Sequence, residues 1–354
     1  MAEAGDIGAL AFHFTVGVAA GALLLRLPAS PYLLSGALLP LLASLLLAVL
    51  RTDRSGLLFL LFLLCGTFCA LNGAFAGPEP AFTRWAAVPA ERLRGFIDRI
   101  PFPSESTAPL LKAFLTGDRS GLSRETVQAF RGSGASHLLA LSGLHIGILY
   151  LLLSRMLWPL GNSPVAKRFR YFLTLTAAGA FTLMTGASPS IVRAFLFIVL
   201  NETALLTGRP RNPLRLLSTA LLIQLVLSPG SISSVGFQLS YLAMAGIFLL
   251  YPHLDAWYPA GLRFDPVRRI WQAAALSISC QVFTGPLAWY RFHTFPTYFL
   301  ITNLLAMPLT TLLMGTAVTT LLLHGLGCCP SFLIGTTDSL CRALLFVLQT
   351  IASI

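Results

Sequence analysis

Apolar residues run through this chain in blocks of about 20, each long enough to cross the roughly 30 Å of hydrocarbon in a bilayer, with short polar or basic stretches between them. The blocks fall near residues 8–26, 32–50, 56–76, 137–157, 171–187, 190–207, 214–229, 234–251, 270–290, 297–325 and 331–354. They predict an all-α fold, a polytopic integral membrane bundle of about 10–11 transmembrane helices. The block 297–325 is long and carries Pro308, so it reads either as one tilted helix or as two short ones. That choice decides on which side of the membrane the C-terminus lies.

Residues 77–136 break the pattern by mixing apolar and charged positions in a helical rhythm. Phe82, Trp85, Ala86, Leu93, Phe96 and Ile97 fit one helical face, with Arg84, Arg92, Arg94 and Arg99 elsewhere. After Pro109, Leu110, Leu111, Phe114 and Leu115 precede the turn Gly117-Asp118-Arg119, and Ser123-Arg124-Glu125 opens a short helix with Val127 and Phe130. Short amphipathic helices of this kind lie in the membrane interface or cover the bundle as an ordinary connection, and the pattern fits both.

Composition supports the membrane setting and adds an orientation. Hydrophobic residues make up 56% and charged residues 10% of the chain, with a mean hydropathy of +0.78, which no soluble domain matches. Met1 to Asp6 is acidic where a cleavable export signal would be basic, so the first block is expected to stay as an anchor. Basic residues mark four loops: Arg51 and Arg54; Arg155, Lys167, Arg168 and Arg170; Arg209, Arg211 and Arg215; Arg263, Arg268 and Arg269. With the blocks above all four fall on one side, which the positive-inside rule makes cytoplasmic. The N-terminus is then cytoplasmic and residues 77–136 external, with the C-terminus external if 297–325 is a single crossing. The net charge of +11 is almost all arginine and suits phosphate, yet positive-inside loops alone produce much of it.

Candidate chemistry concentrates in Gly132-Ser-Gly-Ala-Ser-His-Leu-Leu-Ala-Leu-Ser-Gly-Leu-His-Ile-Gly147. Polar groups are costly in hydrocarbon, so His137, Ser142 and His145 mark a functional site by default. Ser142 and His145 are one helical turn apart, and Gly143 with Gly147 makes a strip where another helix approaches closely. A serine and a histidine at this spacing also suggest parts of an intramembrane hydrolase, but no orienting acid or oxyanion loop is identifiable. The six cysteines and six histidines show no metal-ligand spacing and no nucleotide-binding glycine loop occurs, so no metal, cofactor or catalytic residue is expected.

Read in order, Lys112-Ala-Phe-Leu-Thr-Gly-Asp118, Phe130-Arg131, Ser136-His-Leu-Leu-Ala-Leu-Ser-Gly-Leu-His145, Ser188-Pro-Ser-Ile-Val-Arg-Ala194, Gly208-Arg209, Asn212-Pro-Leu214, Ser228-Pro229, Val235-Gly-Phe-Gln-Leu-Ser240, Phe292-His293 and Asn303-Leu-Leu-Ala-Met-Pro-Leu309 resemble the landmarks of the ComEC competence proteins. The resemblance divides the chain into N-terminal transmembrane helices (1–76), an external connecting segment (77–136) and a competence-type transmembrane domain (137–354). It implies a multi-pass protein of the bacterial inner membrane that passes transforming DNA into the cytoplasm as a single strand. Full-length members carry an external OB-like domain and a C-terminal metallo-beta-lactamase-like domain. Against that pattern the connecting segment is expected to be too short for an OB fold and the chain to lack the nuclease domain, so strand degradation is expected to fall to other polypeptides.

Single-stranded DNA carries closely spaced phosphates that need a lined path with cationic or dipolar partners. Arg193, just inside a helix start after Ser188-Pro189-Ser190, is the clearest candidate; it otherwise snorkels or locks the bundle through a carbonyl. His137, Ser142, His145, Gln238, Ser240 and Asn303 either line the path or join helices by hydrogen bonds. Gly143, Gly147, Pro189 and Gly236 are read as helix-packing or broken-helix positions. Glu202 is read as the carboxylate lying well inside a span, near its cytoplasmic end. The partners expected are single-stranded DNA and membrane lipids, with a DNA receptor, a separate nuclease, a cytoplasmic helicase and further copies of the chain as candidates. A small-molecule or lipid transporter is the main alternative.

Overall fold

The computed structural model describes residues 4–25, 38, 41–42, 45–46, 55–73, 81–139, 142–161, 163–258, 265–293 and 297–353. Their elements are all helical: α1 (Ala4–Leu24), α2 (Ser55–Gly73), α3 (Ala81–Asp98), α4 (Thr107–Thr116), α5 (Arg124–Gly132), α6 (Ser136–Leu139), α7 (Gly143–Met156), α8 (Pro164–Met184), α9 (Pro189–Leu206), α10 (Pro213–Leu227), α11 (Val235–Leu249), α12 (Tyr251–Asp255), α13 (Pro266–Phe292), α14 (Phe299–Gly325) and α15 (Ser331–Ala352). Helices stand at the apolar blocks predicted from sequence, except that the block 32–50 lies largely outside the described residues. The ambiguous block 297–325 is one helix, α14, running through Pro308. The block 137–157 is divided between α6 and α7.

Among the described residues, four stretches are long and apolar enough to cross a membrane: Ile7–Leu24, Gly143–Leu160, Phe299–Gly325 and Ser331–Ala352. Phe59–Asn72, Pro213–Leu227 and Val235–Leu249 are shorter apolar helices. The chain is an all-α membrane protein.

Helix starts follow from local chemistry. A short polar residue followed by proline caps three of them: Ser163 accepts from the Ala166 N–H at 3.1 Å, Asn212 from Leu214 and Arg215 at 3.0 and 3.2 Å, and Asp265 from Arg268 at 3.0 Å. The side chain satisfies an orphan N–H, and proline at the next position has no N–H to leave unpaired. Threonines inside α14 bond back to carbonyls one turn earlier, as Thr311 does to Met307 and Thr319 to Gly315, which hides their hydroxyls from an apolar setting.

The chain divides into two compact units, residues 1–80 with 196–241 and residues 81–195 with 242–354. In the first, α1 and α2 pack backbone to backbone. A Cβ at Gly17 would strike the Leu63 carbonyl, one at Gly66 the Phe14 carbonyl, and one at Gly21 would lie 2.7 Å from the Ala70 Cβ. Phe14, Val18, Ala70, Leu225 and Phe237 form the core of this unit.

In the second unit, α4 and α5 sit deeper than a surface covering. Leu110, Leu111, Phe114 and Phe130 are completely buried and join Leu313, Met314, Leu344 and Leu348 of α14 and α15 in one core. Phe114 and Phe130 meet edge to face. Ser123 caps α5 by accepting from the Thr126 N–H, with Glu125 in the first turn and Arg131 in the last, as the helix dipole favours. The segment that interrupts the apolar blocks therefore builds the core on which the candidate site rests.

Candidate functional site

The site is built around the gap between α6 and α7. α7 opens at Ser142, whose extended backbone (φ −126°, ψ 168°) carries a reciprocal cap. The Ser142 hydroxyl accepts from the Leu144 N–H at 3.3 Å, and the Ser142 N–H donates to His145 Nδ1 at 3.1 Å. On the other side of the gap, the Leu139 carbonyl accepts from the Arg119 guanidinium at 2.8 Å. A helix interrupted in apolar surroundings leaves orphan N–H and C=O groups that cost free energy unless paired. Here side chains pair the Leu139 carbonyl and the Leu144 N–H on either side of it.

Because Nδ1 accepts, the His145 ring is neutral and its proton sits on Nε2. The ring is 1% exposed and packs against Phe114, with centroids 5.6 Å apart. Nε2 is buried and meets no hydrogen-bond acceptor among the described residues. A buried donor in this state is open to an acceptor from outside the described residues.

Gly143, the first residue of α7, crosses α9 where Arg193 and Ala194 lie. A Cβ at Gly143 would fall 3.2 Å from the Ala194 Cβ and 3.3 Å from an Arg193 guanidinium nitrogen. Arg193 is 8% exposed, so its permanent charge is held inside the unit against the broken helix. Gly147 has nothing within 4 Å of its Cβ position, so the close approach expected at both glycines occurs at Gly143.

The other sequence-predicted residues spread more widely. His137 is exposed on α6. Pro189 is the first residue of α9, and the hydroxyl of the neighbouring Ser188 is buried without a partner among the described residues. Asn303 lies in the first turns of α14 with its carbonyl oxygen in the same condition. One position earlier, the Thr302 hydroxyl donates to the Ser133 carbonyl at 2.7 Å, which ties α14 to the end of α5. Gln238, Ser240 and Gly236 belong to the portion of α11 in the first unit. There Gln238 donates to the Ile232 carbonyl at 2.7 Å, while Ser240 is half-buried and Gly236 exposed.

Two structural residues escape the sequence reading. Arg119 reaches back across the gap, as described. Asp338 is a carboxylate inside the candidate span Ser331–Ala352; it is completely buried in α15 and accepts from the Ser104 N–H at 3.0 Å, the Ser104 hydroxyl at 2.9 Å and the Thr107 hydroxyl at 2.6 Å. Arg342, one turn later, pairs with it at 3.1 Å. An Asp-x-x-x-Arg pair in an apolar helix was the available signal. Next to the Arg119 turn, Asp118 accepts from the Ser120 hydroxyl and N–H and pairs with Arg94 at 3.5 Å. The Ser120 bonds first, and the charges of Arg94 and Lys112 after them, hold its carboxyl below the ordinary 3.8.

Ser142 and His145 contact each other at 3.2 Å through Oγ and Nδ1. As a nucleophile and base the pair lacks its third member, because no carboxylate among the described residues orients the ring.

Residues 114–354 match the family model described as Competence protein. The chain belongs to the competence protein family. The gap, Arg119, Arg193, Gln238, Asn303 and Asp338 all fall inside the matched region. The chain is 29% identical over 211 residues to ComE operon protein 3 of Bacillus subtilis, which covers 59% of this chain and 25% of that protein. It is 29% identical over 207 residues to competence protein ComA of Neisseria gonorrhoeae, 56% of this chain and 28% of the relative. It is also 26% identical over 202 residues to the uncharacterized protein YcaI of Escherichia coli. The matches span about a quarter of the length of these relatives. No solved structure matches.

Proposed function

We propose that this chain acts in DNA uptake, as the membrane passage that carries a single strand of transforming DNA into the cytoplasm. Membership of the competence family supports the biological setting, and the names of its Bacillus and Neisseria relatives agree. The observation that carries the chemical reading is Arg193, a buried guanidinium held against Gly143, the first residue of a membrane helix whose first turn also carries the buried His145 imidazole N–H. A phosphodiester oxygen is the acceptor these two donors suit, and a charge-assisted bond in a low-dielectric site is strong. His137, Ser142 and Asn303 are read with them along the path, and Gln238 and Ser240 as polar positions of α11. The location proposed is the bacterial inner membrane with a cytoplasmic N-terminus. A DNA receptor, a separate nuclease and a cytoplasmic helicase are the proposed partners.

The test is uptake of fluorescent double-stranded DNA in the native host. Cells lacking the gene are compared with cells complemented by the wild-type chain, Arg193→Ala or His145→Ala. Signal protected from external nuclease should reach the cytoplasm only with the wild-type chain. If DNA enters equally well without the gene, the passage reading is wrong and a solute or lipid carrier takes its place. Labelling of Ser142 by a serine-directed phosphonate, lost in Ser142→Ala, would instead establish a hydrolase.

A further inference from the structure

We propose that the outward edge of α3 is a binding site for a membrane phospholipid headgroup, with the phosphate held by Arg92 and Arg99 and an ammonium group by Glu91. Glu91, Arg92, Gly95, Phe96 and Arg99 line a shallow cleft, open to its surroundings, of about 440 Å³. Arg92 lies in the last turns of α3 and Arg99 in the turn that follows it, and both border the same cleft. Gly95 between them has nothing within 4 Å of its Cβ position, which leaves the floor of the cleft open. The opposite face of α3 is fixed, because Ala90 and Ile97 are buried, while Arg92 and Arg99 are exposed.

Charge pairing singles out the same residues. The neighbouring cations have partners, Arg94 with Asp118 and Lys112 with Asp98. Arg92, Arg99 and Glu91 form no ion pair among the described residues. The cleft also adjoins the end of a membrane-crossing helix. Phe96 meets His324 of α14 with ring centroids 5.6 Å apart and lies 3.7 Å from the Cβ position of Gly325, where that helix stops. Leu322 and Leu326 at this end are 53% and 76% exposed, an apolar surface for acyl chains next to a cationic cleft. Arginines above an apolar surface are the usual arrangement for holding phosphate at the bilayer boundary. A single strand of DNA fits less well: Glu91 repels a run of phosphates, and the Phe96 ring is engaged by His324 rather than free to stack bases. This site shares no residue with the proposed passage and stands apart from it.

The test is native mass spectrometry of the purified full chain with added phosphatidylethanolamine, phosphatidylglycerol or diacylglycerol, the last having no headgroup phosphate. The wild type should retain the two phospholipids and not diacylglycerol. Arg92→Gln with Arg99→Gln should lower phospholipid occupancy about tenfold. Gly95→Leu should do the same by filling the cleft, in a position where the new side chain meets nothing and helix propensity rises. Glu91→Gln should remove the preference for phosphatidylethanolamine over phosphatidylglycerol. Gly95→Leu decides the matter if the double arginine variant does not fold. Undiminished phospholipid in Gly95→Leu, equal retention of diacylglycerol, or displacement of phospholipid by a single-stranded oligonucleotide that needs the same arginines would each overturn the proposal.

Discussion

At Ser142, both the backbone N–H and the hydroxyl are spent on the first turn of α7, so Ser142→Ala should cost about 1 kcal/mol of stability, the usual worth of an N-cap. Thermal unfolding in detergent reads this directly, and a Tm equal to the wild type would mean the cap does not hold the break. Arg193 makes a different kind of prediction because its role is toward a ligand. If it contacts one phosphate, Arg193→Gln should reduce the salt dependence of single-strand binding by about 0.7 in the logarithmic slope. An unchanged slope would remove Arg193 from the path. Asp118 gives a pH prediction with a definite sign. Its carboxyl is held below the ordinary 3.8, so its contribution is present above that pH and is lost as pH falls through the depressed value. The Tm difference between the wild type and Asp118→Asn should therefore shrink as pH is lowered from about 6 to about 3, and a difference that grows instead would contradict the pairing with Ser120 and Arg94.

At the scale of the element, glycine spacing was the sequence signal, and it proved uneven. The Gly-x-x-x-Gly strip in α7 was legible, yet α9 crosses at Gly143 alone. The equivalent spacing of Gly17 and Gly21, which lets α1 lie on the α2 backbone, does not stand out among so many apolar residues. Gly66→Val should accordingly destabilise the chain by about 1–3 kcal/mol through overpacking. Gly147→Ala, with open space at its Cβ, should leave it unchanged or raise stability by up to about 1 kcal/mol. Equal effects from the two would show that α1 and α2 do not touch as described. Helix starts such as Ser163-Pro164 and Asn212-Pro213, and the short helix after Ser123, were readable because capping is local. The ties from Arg119 to Leu139 and from Asp338 to Ser104 were not, because no periodicity reports which distant turn a long side chain meets.

For the molecule as a whole, the connecting segment was legible as amphipathic helices but not as the centre of a core. Sequence gives the apolar face of α4; only the fold shows that α5, α14 and α15 all close upon it. Phe114→Ala should then cost about 3–5 kcal/mol, a core value rather than a surface one. Denaturation of the purified chain checks this, and a loss below about 1 kcal/mol would return α4 to the periphery. The bonds that Asp338 accepts from Ser104 and Thr107 span 234 and 231 residues of chain. During synthesis the hydroxyls of Ser104 and Thr107 are made early, yet the carboxylate they serve arrives only after α14 has been laid down. The pairing of α1 with α2 closes over a far shorter stretch and can form while the ribosome is still working. Biogenesis thus has a built-in order, in which the half containing the broken helix stays unfinished until α15 supplies the acceptor.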